Sequence, residues 1–239
     1  ALARIAAQAD GKNALAGGFR GSFSELFLDH AGLRRIRLRL GSDFPAELQA
    51  VVRQLFVHAD GWQLPPQHFA DLSAFVEQVR AAGHQLRCDE DALSFVAEVR
   101  DGEIRQERLA ALYPLGADSP ELKTLLKTEL YPYQRAGALF AVRAGRCLIG
   151  DEMGLGKTVQ AIAAVEILAR HFAAERVLIV CPTSLKHQWE REFARFTDRR
   201  AAVIGGLRAV RQTRYAQEEF CKITNYETLS RDLDLIQAW

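Results

Sequence analysis

The chain has 239 residues, 31 basic and 30 acidic, for a formal net charge of +1; 49% are apolar and 26% charged, which is ordinary for a folded soluble protein. No apolar run approaches the roughly 18 residues of a membrane span, and the opening residues, with Arg4 among alanines, make no secretory signal. Four widely spaced cysteines, Cys88, Cys147, Cys181 and Cys221, exclude a sequence-local zinc ribbon. Three of the four sit in apolar runs read as strands, where a free cysteine acts as a small hydrophobe, and a reducing, intracellular compartment fits them best.

The chain does not begin with Met and reads as part of something longer. Its charge divides: residues 1–125 carry net −3 and the remainder net +4, so the second half is the basic one, in weak agreement with a polyanionic partner.

Residues 1–21 read as a helix fragment followed by loop. Leu33 to Leu40 reads as a strand with Ile36, Leu38 and Leu40 on one face and Arg35, Arg37 and Arg39 on the other. That basic face could touch nucleic acid, but a solvated outer sheet face is the favoured reading. Ser42 or Asp43 then caps a helix opened by Pro45 and carrying Leu48, Val51, Val52 and Leu55 at helical spacing. After Asp60-Gly61 comes a short strand, Trp62 to Leu64. A second helix follows with Phe69, Leu72, Phe75, Val76 and Val79 inward, capped by Gly83, and then a strand from His84 to Cys88. Residues 1–118 thus read as a small α+β accessory module. His58, His68 and His84 lack ligand spacing. Trp62-x-Leu64-Pro65, then Phe69, Leu72, Phe75 and Gly83, resembles the HARP domain that precedes the motor of annealing helicases. Around Asp101-Gly102 the pattern allows a hairpin turn or a break between two helices. Pro114-Leu115-Gly116 and Ser119-Pro120 mark a linker.

Residues 119–239 alternate apolar strand and helix: strand Cys147–Gly150, helix Lys157–His171, strand Val177–Cys181, helix Leu185–Phe196, strand Ala202–Ile204, helix Arg208–Ala216, strand Phe220–Thr224. That pattern means an α/β fold with a parallel sheet and flanking helices, ligands lying at the C-terminal strand ends. Between the first strand and helix lies Asp151-Glu152-Met153-Gly154-Leu155-Gly156-Lys157-Thr158, a departure from G-x-x-x-x-G-K-[ST] only at its first position. Gly154 and Gly156 let successive N–H groups converge on an anion, and the helix start adds its dipole. Lys157 would reach the β- and γ-phosphates and the Thr158 hydroxyl would ligate Mg²⁺.

Three later strand-end loops carry donors suited to a phosphate backbone: Thr183 and Ser184 with Lys186; Gly205-Gly206 followed by Arg208, Arg211 and Arg214; and Thr224-Asn225-Tyr226. Upstream, the Gln134 amide can pair with the adenine N6/N7 edge, and Tyr131 and Arg135 could pack on the ring face.

In this order and spacing, Leu130-x-Pro132-Tyr133-Gln134-x-x-Gly137, Asp151 to Thr158, Cys181-Pro182-Thr183-Ser184-Leu185 with Trp189, Glu192 and Phe196, and Ile223-Thr224-Asn225-Tyr226-Glu227-Thr228 resemble the Swi/Snf-related helicase-like ATPases of superfamily two. The resemblance implies a partial first RecA-like motor lobe over 119–239, with the Q motif and motifs I, Ia and Ib. In that family the phosphate loop begins with Asp, which accounts for Asp151. It implies ATP and Mg²⁺ as cofactors, bound by Gln134 and the stretch from Asp151 to Thr158, with Lys157 and Thr158 closest to the chemistry. It also implies duplex DNA held by its sugar-phosphate backbone at Thr183, Ser184, Lys186, Gly205, Gly206, Thr224, Asn225 and Tyr226. A nucleoid or nuclear location, a monomer and no membrane partner go with it. The family also uses a Walker B motif and a second lobe with an arginine finger. Nothing after Leu229 supplies the Walker B carboxylates, so these residues alone are expected to hold ATP without turning it over. Two other readings stand beside this one. The same motor could displace a protein such as a polymerase from DNA, with residues 1–118 docking protein. The loop could instead belong to a P-loop kinase or transport ATPase, against which the loops at Thr183 and Thr224 argue.

Overall fold

A computed structural model describes residues 22–239, so the expected helix fragment within 1–21 lies outside the described residues. The described residues form two compact units, 22–104 and 105–239.

In the first unit, β1 (Phe23–Asp29), β2 (Arg35–Arg39), β3 (Val57–His58), β4 (Trp62–Leu64) and β5 (Gln85–Cys88) form a sheet in the order β3-β4-β2-β1-β5, with β1 and β5 parallel and the other pairs antiparallel. Helices α1 (Gln49–Leu55) and α2 (Leu72–Ala81) supply the apolar cover. Leu26, Leu28, Ile36, Leu38, Leu64 and Leu86 from the strands share one core with Val52, Leu55, Leu72, Phe75, Val76 and Val79. The helix at Pro45 begins as a 3₁₀ turn, Ala46–Leu48, and neither Ser42 nor Asp43 caps it. Gly83 closes α2 at a left-handed φ of 75°, as its position predicts.

The basic face of β2 is answered within the sheet. Arg37 lies 2.7 Å from Asp29 and 2.9 Å from Asp60, and Arg39 lies 2.8 Å from Glu25. The register Glu25↔Arg39 and Asp29↔Arg35 sets unlike charges opposite each other across β1 and β2.

Beneath β1, the fully buried Ser24 hydroxyl accepts the Gly41 N–H at 3.0 Å and meets His84 Nε2 at 2.9 Å, joining β1, the chain after β2 and the start of β5. Ser24→Ala leaves a buried N–H and a buried imidazole without their partner. It is expected to cost about 1–3 kcal/mol, read as a lower urea midpoint with unchanged slope.

Helix α3 (Glu90–Leu112) runs straight through Asp101-Gly102, where a hairpin or a break was expected. Glycine in a helix costs about 1 kcal/mol, and this helix has buried anchors on either side: Ala92, Leu93 and Val96 before the glycine, Leu109 after it. The expected linker is also packed, as 3₁₀ turns Gly116–Asp118 and Pro120–Leu122, with Ser119 and Leu122 buried.

The second unit contains α4 (Pro132–Ala144), α5 (Lys157–His171), β6 (Val177–Val180), α6 (Lys186–Phe196), β7 (Ala201–Val203), α7 (Arg208–Tyr215), β8 (Cys221–Thr224), α8 (Tyr226–Arg231) and α9 (Leu233–Ala238). The strands form a parallel sheet in the order β6-β8-β7. Helix α5 has the bounds that periodicity predicts. Its Ile162, Ala163 and Ile167 join Leu122, Leu125, Leu130, Leu139, Phe193 and Ile223 in one core.

Residues Cys147–Gly150 are a correction: they form no strand. A strand exists through its ladder, and this run has no partner among the described strands; Leu148 is 87% exposed. Cys147 is exposed too, whereas Cys88, Cys181 and Cys221 are buried, and burial pushes the Cys88 and Cys221 thiols up to about 11 and about 12. No helix among the described residues is long and apolar enough to cross a membrane.

Glu166 of α5 is nearly buried. It accepts from Arg170 Nε at 2.6 Å and Arg199 Nε at 2.8 Å. Burial works against its charge, but the two guanidinium groups win and hold the carboxyl below the usual glutamate range. A depressed folded pKa means that the stabilisation is complete above the ordinary glutamate range and fades as pH falls through the folded value. Glu166→Gln is therefore expected to lower stability at neutral pH and to flatten the acid limb of a pH–stability curve.

Candidate nucleotide and nucleic-acid site

The phosphate loop follows the irregular Cys147–Gly150 segment and ends on α5. Gly154 and Gly156 take φ of 88° and 76°, a left-handed conformation open to glycine and costly for other residues. Gly156 is the N-cap of α5, and no side chain caps the helix, so its first N–H groups face the loop. A Cβ on Gly156 would stand 2.5 Å from Gln134 Nε2, so the loop closes on the upstream helix only because that side chain is absent. Lys157 is half-buried and lies across the loop, its ammonium donating to the Asp151 carbonyl at 2.8 Å and the Glu152 carbonyl at 2.9 Å. The Met153 side chain is 96% exposed, and those of Glu152 and Leu155 also point outward, so these three residues can offer an anion only their backbone. Thr158 stands in the first turn of α5, half-buried. Left-handed glycines, a bare helix start and a lysine bound only to carbonyls fit a polyphosphate.

Gln134 is buried at the start of α4. Its Oε1 accepts the Tyr131 N–H at 3.1 Å, and its Nε2 donates to the Leu155 carbonyl at 3.2 Å and the Tyr133 hydroxyl at 3.3 Å. The side chain with the adenine-reading pattern therefore touches the phosphate loop directly. Tyr131 is exposed and stacks on Tyr133, rings 5.8 Å apart and 6° from parallel. Arg135 has a different place from the ring-packing one expected. It is buried, donating to the Ala117 carbonyl at 2.6 Å and the Leu130 carbonyl at 2.9 Å, because its position in α4 turns it toward the packed Gly116–Leu122 segment.

The three later loops share the C-terminal edge of the sheet. Thr183 and Ser184 are exposed in a 3₁₀ turn, Thr183–Leu185, that leads into α6. Gly206 and Tyr226 are exposed and Gly205 is half-exposed. Lys186, Thr224 and Asn225 lie beneath them, buried. Lys186 Nζ donates to the Ile204 carbonyl at 3.0 Å and to Asn225 Oδ1 at 3.3 Å, tying the three loops together. Among the described residues no carboxylate forms a direct salt bridge with this ammonium; Glu227, which accepts from Asn225 Nδ2, lies near enough to feel it and is held below the usual glutamate range, chiefly by that Asn225 bond.

The arginines after Gly205-Gly206 are committed elsewhere. Arg211 holds the buried Asp232 in two hydrogen bonds of 2.6 and 2.7 Å, Arg208 reaches Asp234, and Arg214 donates to the Val203 carbonyl at 2.7 Å. The donors at this edge are backbone, hydroxyl and the Lys186 ammonium rather than guanidinium groups. Sequence reasoning missed Gln160, whose amide donates to Asp151; it lies two residues beyond the end of the loop motif, and only its closeness to that motif could have marked it.

A family model for the SNF2-related domain matches residues 77–239. A Caenorhabditis elegans homologue of SWI/SNF-related matrix-associated actin-dependent regulator of chromatin subfamily A-like protein 1 is 48% identical over 69 residues, 28% of this chain and 9% of that protein. The mouse DNA annealing helicase and endonuclease ZRANB3 is 44% identical over 72 residues, 30% of this chain and 6% of that protein. Among solved structures, the Sulfolobus solfataricus SWI2/SNF2 ATPase core in complex with dsDNA aligns with 45% of this chain and 23% of its own, at 30% identity and a TM-score of 0.38. The chain thus spans less than a tenth of the length of these curated relatives.

Proposed function

The chain belongs to the SNF2-related domain family, and from that premise we propose that its second unit is the nucleotide- and DNA-binding part of an ATP-driven translocase on duplex DNA. The observation that carries the reading is the contact between base reader and phosphate cradle: Gln134 donates to the carbonyl of Leu155 inside the loop. An adenine nucleotide bridging the two would have its base read by the Gln134 amide and its phosphates held by the N–H groups of Gly154 to Lys157. Tyr131 offers a ring for the base to stack on. Lys157 exchanges two loop carbonyls for phosphate oxygens, a gain in charge-assisted bonding. Mg²⁺, when bound, would neutralise phosphate charge, and the Thr158 hydroxyl would be the group of this chain that holds it.

At the three later loops, duplex DNA is held by its phosphates, without base reading. Thr183, Ser184, the Gly205-Gly206 backbone and Tyr226 are the contact surface. Lys186, Thr224 and Asn225 act from below, Lys186 supplying positive charge without a direct salt bridge. Turnover requires carboxylates beyond Asp151 and Glu152. Among the described residues no Asp-Glu pair follows a strand of the three-stranded sheet, so residues 22–239 bind ATP and hydrolyse it negligibly by themselves.

The test is duplex affinity across a salt series. Each phosphate neutralised contributes about 0.9 to the slope of log K against log salt. The proposal expects saturable binding that weakens steeply with salt and is indifferent to sequence. Absent or salt-independent binding contradicts it and favours a small-molecule kinase or transport ATPase.

A further inference from the structure

Asp151 stands where the general phosphate-loop pattern has glycine, and its carboxylate has a specific partner. Gln160, 1% exposed on the second turn of α5, donates from Nε2 to Asp151 Oδ2 at 2.6 Å. The bond spans the loop, joining its first residue to the helix that follows its last. Gln160 is itself seated against α4: its Oε1 rests on Gly137, where even a Cβ would overlap it. Gly137 lies one turn after Gln134, on the same side of α4. Helix α4 therefore holds the loop at two points, through Gln134 at the Leu155 carbonyl and through the Gly137 seat and Gln160 at Asp151.

Asp151 has a second tie, the 2.8 Å bond that its carbonyl accepts from Lys157 Nζ. That tie is lost whenever Lys157 turns to a phosphate. The Gln160 bond remains, because it uses the Asp151 carboxylate, whereas an anion is held by the backbone N–H groups of the loop and by Lys157. We propose that Gln160 is a positioning residue that holds the entrance of the phosphate loop in place while Lys157 changes partners, with Gly137 as its seat. The inference rests on the reading of this loop as a polyphosphate site. A neutral amide suits the role: it donates to the carboxylate without adding a cation that would compete with Lys157 for phosphate, and a carboxylate at 160 would repel Asp151.

The test uses Mg²⁺-ATP and Mg²⁺-tripolyphosphate as probes, with Gln160→Glu, Asp151→Asn and the double variant, each also followed by thermal unfolding. Gln160→Glu is expected to weaken both probes by about 10- to 100-fold, the range of a hydrogen bond to a charged group. Asp151→Asn keeps an acceptor for the Gln160 amide and loses less. The double variant restores the bond with donor and acceptor exchanged, Asn to Glu, and returns both affinities to within a few fold of the starting protein. Wild-type affinity in Gln160→Glu overturns the inference. So does a double variant that recovers melting temperature without recovering affinity, since Gln160 would then serve only the fold. If the unaltered chain binds neither probe, the phosphate-site reading falls first and takes the inference with it. Binding of tripolyphosphate unchanged alongside weakened ATP would place the effect on the base and overturn the entrance role.

Discussion

Lys157→Ala is expected to abolish measurable Mg²⁺-ATP binding at micromolar nucleotide and to lower ATP turnover by the full-length protein on the order of 10²–10³-fold, the usual cost of removing one preorganised charged or hydrogen-bonding group from a phosphoryl-transfer site. The reason is geometric. Lys157 begins α5, its ammonium already lies within the loop, and only two carbonyls hold it there. Neither is a counter-ion, so exchange for phosphate gains charge pairing at little cost. Stability should hardly change, because the side chain is half-exposed and outside the apolar core, and substitutions of that kind stay within about 0.5 kcal/mol. Lys157→Arg should rescue poorly, since a planar fork does not reproduce a compact ammonium in a cradle of converging N–H groups. Equilibrium binding of a fluorescent ATP analogue, with a melting curve for each variant, checks all of this.

Lys222→Ala is expected to be the most damaging single change to the second unit, costing about 3–5 kcal/mol against a domain stability on the order of 5–15 kcal/mol. Lys222 lies in β8, the middle strand of its sheet, and is fully buried. Its Nζ donates to the Arg214 carbonyl at 2.8 Å, the Gln217 carbonyl at 2.7 Å and the Glu219 carboxylate. These bonds fold the end of α7 and the turn after it back onto β8. Truncation removes the buried stem, leaves the Glu219 carboxylate without its cation and orphans two carbonyls. Lys222→Met keeps the stem and should fall between wild type and alanine. Urea midpoints in that order support the account, and an alanine variant as stable as the methionine one would refute it.

How much of this was legible in sequence follows from where the information lies. Helix α5 came out at its observed bounds because its Ile162, Ala163 and Ile167 repeat at the helical period and Gly156 marks the start. The parallel strands around Ile179, Val203 and Ile223 came out because short apolar runs alternate with helices. Strand β1 went unread, although Ser24, Leu26 and Leu28 alternate inward, since a serine at a core position breaks the apolar signal. The strand expected at Cys147–Gly150 failed for the converse reason: its residues suit a strand, but strand formation depends on neighbours that periodicity does not report.

The site divides in the same way. Gly154, Gly156, Lys157, Thr158 and Gln134 were readable because local chemistry fixes their spacing. The places of Arg135, Lys186, Arg208, Arg211 and Arg214 were not. Each of these cations takes a partner distant in sequence or in an irregular segment, such as Ala117, Asn225 or Asp232. A residue type names the charge but not the acceptor that claims it. Arg135 and Arg211, suited by type to ligand binding, are structural ties, whereas Lys186 is buried on a carbonyl and an amide oxygen beneath the edge, with no direct salt bridge among the described residues.

The most direct test of the central claim is ATP hydrolysis by the full-length protein, measured with and without duplex DNA of unrelated sequences at fixed salt. The account predicts low turnover alone and strong stimulation by every duplex, lost in Lys157→Ala. Turnover that is unchanged by DNA, or that survives Lys157→Ala, would contradict it.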